Sequence, residues 1–325
     1  MFISLLEGFF VLSWPNIEND LRTALIQKAT DIQIVVGGDR ANVAASEFLG
    51  VKMPAGFAAE HIGDNVFESL VDVSSFAITD ACLKLYELAS NPAVVPIERS
   101  VDWQDDLNTL DHFLSLCSRS SLVGDDYDLA SLRGLSRHCQ SYIDFMDAAV
   151  RAMTTTTPSD DLYDLTIGDL AHVGNVQQSY VRNNTSPDPL KGRIRSEPRC
   201  KATYRKPTAR LGNEDRSFVK LNTLDSIEWL VTLRRFRHGR LSTQFINECI
   251  HHAESAELLG RIVAIGGWLN VGDTATLLNE LRWPHNKFQK WVGGSLTTDS
   301  ADAKAWASVL GIDAETYSLR VNALA

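Results

Sequence analysis

The chain has 325 residues, 44% of them apolar and 22% charged, and a formal net charge of −10. That balance excludes a wholly disordered chain and leaves length for two domains. The first run, MFISLLEGFFVLSW, has no basic flank, carries Glu7 and is too short for a bilayer. It reads as a buried first helix or a docking arm rather than a signal peptide. No other apolar run approaches membrane length, so a soluble, cytoplasmic protein without a membrane partner is expected.

Helical periodicity dominates in chain order. Pro15 opens a helix with Ile17, Leu21, Leu25 and Ile26 on one face, and Gly37-Gly38 ends it. Residues 65–92 place Phe67, Leu70, Val71, Phe76 and Leu83 at helical spacing and stop before Pro92. DWQDDLNTLDHFLSLC and the run from Leu129 to Met153 predict two further amphipathic helices, and TTTTPSDD (154–161) a break with Ser159 or Asp160 as a cap. From about Asn183 to Arg216 the periodicity disappears, Pro187, Pro189 and Pro198 forbid a long helix, and a short strand is expected near Lys201–Arg205. Helical patterning returns with TLDSIEWLVTLRRFRHG and continues to the end. The fold class expected is all-α: two helical lobes, 1–182 and 217–325, joined by a basic, turn-rich connector at 183–216.

Charge is segregated along this chain. Residues 182–240 hold 15 of the 31 basic residues and 6 of the 41 acidic ones, a local net of +9, which leaves −19 for the rest. Segregated charge concerns partners more than solubility. Within KGRIRSEPRCKATYRKPTAR, the cations Lys191, Arg193, Arg195, Arg199, Lys201, Arg205, Lys206 and Arg210 recur every few residues, a pattern suited to the regular charge of a phosphate backbone. Tyr204 among them is a candidate for stacking on a base. Arg234, Arg235, Arg237 and Arg240 follow the apolar stripe Leu224, Ile227, Leu230 and Val231, so the sequence places them at a helix C-terminus, where the dipole also suits them. The alternative for the whole zone is a loop whose cations pair with acidic groups of the same chain, or with an acidic protein.

Near the C-terminus, Asp273 or Thr274 caps a helix with Leu277, Leu278 and Leu281; Pro284 opens a second with Phe288, Trp291 and Val292; a third carries Trp306, Val309 and Leu310 and ends at Gly311. The run 273–312 resembles the lambda-repressor-like helix-turn-helix proteins. The resemblance implies a recognition helix from Pro284 exposing His285, Asn286, Lys287, Gln289 and Lys290, of which Asn286 and Gln289 suit adenine edges and the lysines guanine. It departs from the pattern at Arg282-Trp283-Pro284, where a small residue is usual. A second run, IEWLVTLRRFRHG, resembles the Arg…His-Gly helix end of HEPN-type ribonucleases, one residue short between Arg234 and His238, whereas Arg133 and His138 satisfy the full Arg-x4-His spacing. That resemblance implies RNA cleavage at a dimer interface.

Other chemistry is poorly represented. The five cysteines (Cys82, Cys117, Cys139, Cys200, Cys249) never form CxxC, and His138-Cys139 and Cys249/His251/His252 do not make a metal site alone, so structural thiols and no metal are expected. GxGxxG, P-loop, GxSxG and HExxH motifs are absent, and the acidic runs GDDYD and SDDLYD read as helix caps. The expectation is a non-enzymatic nucleic-acid-binding protein without cofactor or catalytic residues, binding DNA or RNA and self-associating. That protein is either a DNA-binding regulator or, alternatively, a nucleocapsid or coat-like protein assembling on RNA; the enzymatic alternative to both is a HEPN-like ribonuclease.

Overall fold

The computed structural model describes residues 12–119, 129–188, 192–197 and 219–325. The expected strand at 201–205, the acidic run GDDYD, the turn at Gly212-Asn213 and the apolar arm before Leu12 lie outside them. The described residues are mostly helical, with fifteen α-helices and four strands of two to four residues. None of these helices is long and apolar enough to cross a membrane.

Contacts divide the chain into two units. The smaller comprises Phe10–Ser90 and Val101–Gln140; the larger takes Asn91–Ser100 and Ser141–Ala325. This division falls inside a long helix, whereas the composition shift puts a boundary at the basic segment.

In the smaller unit, α1 (Trp14–Val36) starts where the Ser13 hydroxyl accepts from the Asn16 N–H, with Pro15 in the first turn, and stops at Gly37, whose φ is +60°. Its buried face ends in two polar residues. Gln33 donates to Asn42 and to the Gly56 carbonyl and accepts from the Ala58 N–H; Thr30 accepts from the Ala59 N–H. These bonds hold the loop that follows α2 (Ala41–Leu49). The run 65–92 is one periodic pattern but two helices, α3 (Asn65–Leu70) and α4 (Ala77–Ser90). The Asp72 carboxylate accepts from the Ser74 N–H at 3.0 Å and from its hydroxyl at 2.6 Å, and this local turn displaces the helical path. α5 (Gln104–Arg119) and the first residues of α6 (Ala130–Thr154) complete the unit.

The larger unit begins with the rest of α6. β1 (Tyr163–Thr166) leads into α7 (Ile167–Val173) through a capping box in which Thr166 and Asp169 bond each other's backbone. α8 (Gln178–Asn184) follows, then β2 (Thr185–Ser186), which pairs in parallel with β3 (Ile194–Arg195). β4 (Lys220–Asn222) pairs antiparallel with β1 and opens α9 (Thr223–Val231), capped by the Asn222 side chain. Six more helices complete the chain: α10 (Thr243–His252), α11 (Ala256–Asn270), α12 (Thr274–Leu281), α13 (His285–Val292), α14 (Ser300–Leu310) and α15 (Ala314–Leu324).

The core of this unit is α11. Leu258 through Leu269 are all buried, because α9, α10 and α12 to α15 pack around the helix. Gly260 permits the closest of these approaches: a Cβ there would overlap the carbonyl oxygen of Trp291 on α13. Arg261, 1% exposed, donates to the carbonyls of Thr155 and Thr157 at 2.5 and 2.7 Å and so ties the TTTTP break to the core. The break therefore leads into a strand rather than the capped helix expected from Ser159 or Asp160.

Candidate functional site

The helices of the C-terminal third fall where local caps put them. Asp273 caps α12, Pro284 precedes α13, and Gly311, at φ +66°, ends α14. Their inner faces form an aromatic cluster, with Trp283 at 5.1 Å from Trp291 and 6.0 Å from Trp306, and Phe288 at 6.0 Å from Trp306. Arg282 occupies the left-handed turn position at φ +56°. On the outer face Asn286, Gln289 and Lys290 are exposed, as the helix-turn-helix resemblance implies. Lys287 is not available to a ligand in the same way. Its ammonium bonds the buried Asp302 carboxylate at 2.5 Å and lies 4.5 Å over the Trp283 ring. Thr297 donates to the other Asp302 oxygen. Lys287 thus fastens α13 to α14.

The basic segment divides. Lys191, Arg199, Lys201, Tyr204, Arg205, Lys206 and Arg210 lie outside the described residues. Arg193 is exposed. Arg195 is held within the chain: its Nε and Nη2 donate to Asp225 at 2.7 and 3.1 Å, its backbone N–H to the same carboxylate at 2.9 Å, and its Nη1 to Asp160. These carboxylates raise the guanidinium's pKa further above its ordinary value. Asp225 in turn is in the first turn of α9. Arg195 therefore docks β3 on α9, and the intramolecular alternative applies to it. The acidic run SDDLYD works in the same way, because Asp164 pairs with Arg151 at 2.8 Å and accepts from the Thr223 hydroxyl. These carboxylates are ion-pair partners, not the caps expected.

The second arginine group differs from its sequence reading. α9 stops at Val231, with Thr232 as the cap residue, so Arg234, Arg235, Arg237 and Arg240 stand in the irregular segment 232–242 and not on a helix end. All four are exposed. The segment is nevertheless fixed by contacts distant in sequence. The Gly239 N–H donates to the Tyr142 hydroxyl at 2.9 Å, and that hydroxyl donates to the Pro92 carbonyl at 3.4 Å. Burial pushes the Tyr142 pKa up, keeping the hydroxyl protonated for this relay. Asn270, at the end of α11, makes a matched pair with the Leu241 backbone, accepting from its N–H at 2.9 Å and donating to its carbonyl at 2.8 Å. The Ile97 N–H donates to the Arg240 carbonyl, and Glu98 accepts from the Ser242 N–H. Gly239 is required by close approach, since a Cβ would overlap the Val95 carbonyl.

This fixed segment borders a cleft of about 470 Å³ lined by Arg237, His238 and Arg240 on one side and Trp268 through Gly272 on another, with Phe236 and Ala93. The His238 ring stacks on Phe236 at 4.6 Å, with 29° between the planes. Its Nδ1 lies 2.7 Å from the Gly239 carbonyl oxygen. A carbonyl oxygen only accepts, so Nδ1 carries the proton and Nε2 of the neutral ring is bare. Burial, reinforced by the Arg240 charge, lowers the His238 pKa below its ordinary 6.5, opposed by the bond to Gly239. The Arg…His-Gly run therefore forms a rigid loop beside a cleft, not the helix end that the ribonuclease resemblance implies. Arg133 and His138 lie on α6 in the smaller unit.

The rest of the described chain offers less chemistry. A second cleft, about 370 Å³ and lined by Leu25, Ile32, Phe48, Phe76, Phe113 and Leu116, is apolar apart from the Lys28–Asp31 pair. No three His, Cys, Asp or Glu residues among those described stand close enough to hold a metal ion. Cys82, Cys117, Cys139 and Cys249 are buried free thiols, and burial pushes Cys82 and Cys249 up to about 12, so they stay protonated and unreactive. Comparison with models of protein families, with curated proteins and with solved structures finds no match.

Sequence reasoning missed the cleft because its walls, at Ala93, within 231–240 and at 268–272, meet only through folding. One local signal was present: the run Arg237-His238-Gly239-Arg240 beyond an apolar helix stripe.

Proposed function

We propose that the chain is a non-enzymatic nucleic-acid-binding protein that grips the phosphate backbone without reading sequence. What carries the reading is the segment 232–242, which exposes Arg234, Arg237 and Arg240 in the most basic zone of an acidic chain and is anchored through residues 239–242. A fixed loop loses little conformational freedom on binding, so its cations act with little ordering cost. Each arginine that displaces counterions from phosphate adds affinity irrespective of base. Arg193 extends the set, while Arg195 does not, being held by Asp225 and Asp160.

Within this reading, backbone binding is favoured over duplex readout. Lys287, which the helix-turn-helix resemblance assigns to bases, is engaged by Asp302 and Trp283, and Asn286, Gln289 and Lys290 remain as a small set of polar groups. Assembly on RNA as a coat-like oligomer is the form compatible with sequence-independent gripping. The test is fluorescence anisotropy with labelled single strands and duplexes of several sequences. Arg234→Ala, Arg237→Ala and Arg240→Ala should weaken all of them alike, and Gln289→Ala with Lys290→Ala should leave affinity unchanged. Loss of preference for one duplex sequence in the Gln289 and Lys290 variants would instead support the regulator.

A further inference from the structure

We propose that the cleft beside the arginine segment receives one ribonucleotide of a bound strand, with Arg237 and Arg240 on its phosphate and His238 Nε2 accepting a hydrogen bond from the ribose 2′-hydroxyl, so that the protein selects RNA over DNA. The inference rests on the nucleic-acid reading and goes beyond it by naming the sugar.

Size comes first. A cleft of about 470 Å³ lies within the range of small-molecule sites and accommodates one nucleotide, not a duplex. The polar groups then sort by what they can still bind. Asn270 lines the cleft with its amide held on both sides by the Leu241 backbone, which fixes its orientation. The Trp268 indole N–H is taken by the Thr274 hydroxyl at 3.0 Å, which leaves its ring as wall. Arg237 and Arg240 are donors only and match phosphate oxygens, which accept. His238 is the exception. Its Nδ1 proton is committed to the Gly239 carbonyl, so Nε2 of the neutral ring offers a lone pair and requires a donor.

Among the groups every nucleotide shares whatever its base, phosphate cannot supply that donor, and deoxyribose has none at its 2′ position. Ribose supplies one, and the 2′-hydroxyl is the group that distinguishes RNA from DNA at a given site. Two features keep the nitrogen an acceptor. The ring is clamped by its stack on Phe236 and its bond to Gly239, and burial beside Arg240 disfavours its protonation.

The test compares labelled oligouridine with the matched oligodeoxyuridine and 2′-fluoro strands, by anisotropy at pH 7.5 with the full chain. One hydrogen bond to a neutral acceptor predicts binding of RNA about tenfold tighter than of DNA. The 2′-fluoro strand keeps a ribose-like shape but cannot donate, and should bind as weakly as DNA. His238→Phe retains an aromatic ring against Phe236; it should abolish the preference, so that RNA and DNA bind within about twofold of each other. Equal binding of RNA and DNA by the unmodified protein, RNA-like binding of the 2′-fluoro strand, or a preference that survives His238→Phe would overturn the inference while the nucleic-acid reading stands. Failure of every strand to bind at low salt would sink that reading too.

Discussion

Tyr142→Phe isolates the single hydroxyl that anchors the arginine segment. The ring stays, so no cavity opens; what goes is the acceptor for the Gly239 N–H at 2.9 Å and a longer donor bond to Pro92. Gly239 is buried, and the Tyr142 hydroxyl is the acceptor for its amide. Leaving a buried N–H unsatisfied costs about 1–3 kcal/mol, and the 3.4 Å bond to Pro92 adds little. A loss of about 2 kcal/mol is therefore expected. With a urea m-value of about 3 kcal/mol/M, the midpoint should fall by roughly 0.7 M at unchanged slope. Urea unfolding followed by far-UV circular dichroism measures this, and anisotropy on the same variant should show weaker RNA binding as the loop loosens. A midpoint shift below about 0.2 M would mean that the hydroxyl does not hold the segment, and the rigid-loop argument would fail.

Further outcomes follow from the same contacts. Arg195→Ala and Asp225→Ala should each destabilise the protein, and a double-mutant cycle should give a coupling of about 1–2 kcal/mol; Arg195→Ala should leave RNA affinity near that of the unmodified protein. His238 has a folded pKa below its unfolded value, so the stability it contributes is present above about pH 6.5 and is lost as pH falls through the folded pKa. His238→Phe should accordingly flatten the stability–pH curve on the acid side of about pH 6.5, as read by thermal melts at half-unit steps. Arg261→Met should destabilise by about 2 kcal/mol, because the half-buried backbone at Thr155 and Thr157 loses charged donors to its carbonyls.

The helices were legible wherever their ends are set by neighbours in sequence. Ser13 with Pro15, Asp273, Pro284 and Gly311 each act within a turn, and the corresponding boundaries follow from the residues alone. Ends set from afar were not. The pattern carried α9 on into the arginines, although the segment after Val231 is held by Tyr142, Asn270 and the chain at 92–98. β1 and β4 escaped notice because Tyr163 pairs with Asn222, 59 residues on, without a turn signal joining them. The site was half legible for the same reason. A count of cations located the basic zone, but whether a cation is available depends on its counter-ion. Arg195 meets Asp225 and Lys287 meets Asp302, 30 and 15 residues away, and neither pairing shows in local composition.

The central claim is that arginines 234–240 release counterions from phosphate. Its most direct test is the salt dependence of binding to a single-stranded oligonucleotide, comparing the unmodified protein with the triple variant Arg234→Ala, Arg237→Ala, Arg240→Ala. At about 0.7 per neutralised phosphate, the slope of log K against log salt should become shallower by roughly 2 units in the variant. An unchanged slope, with or without a change in affinity, would contradict the claim and move the phosphate contacts to cations elsewhere in the basic zone.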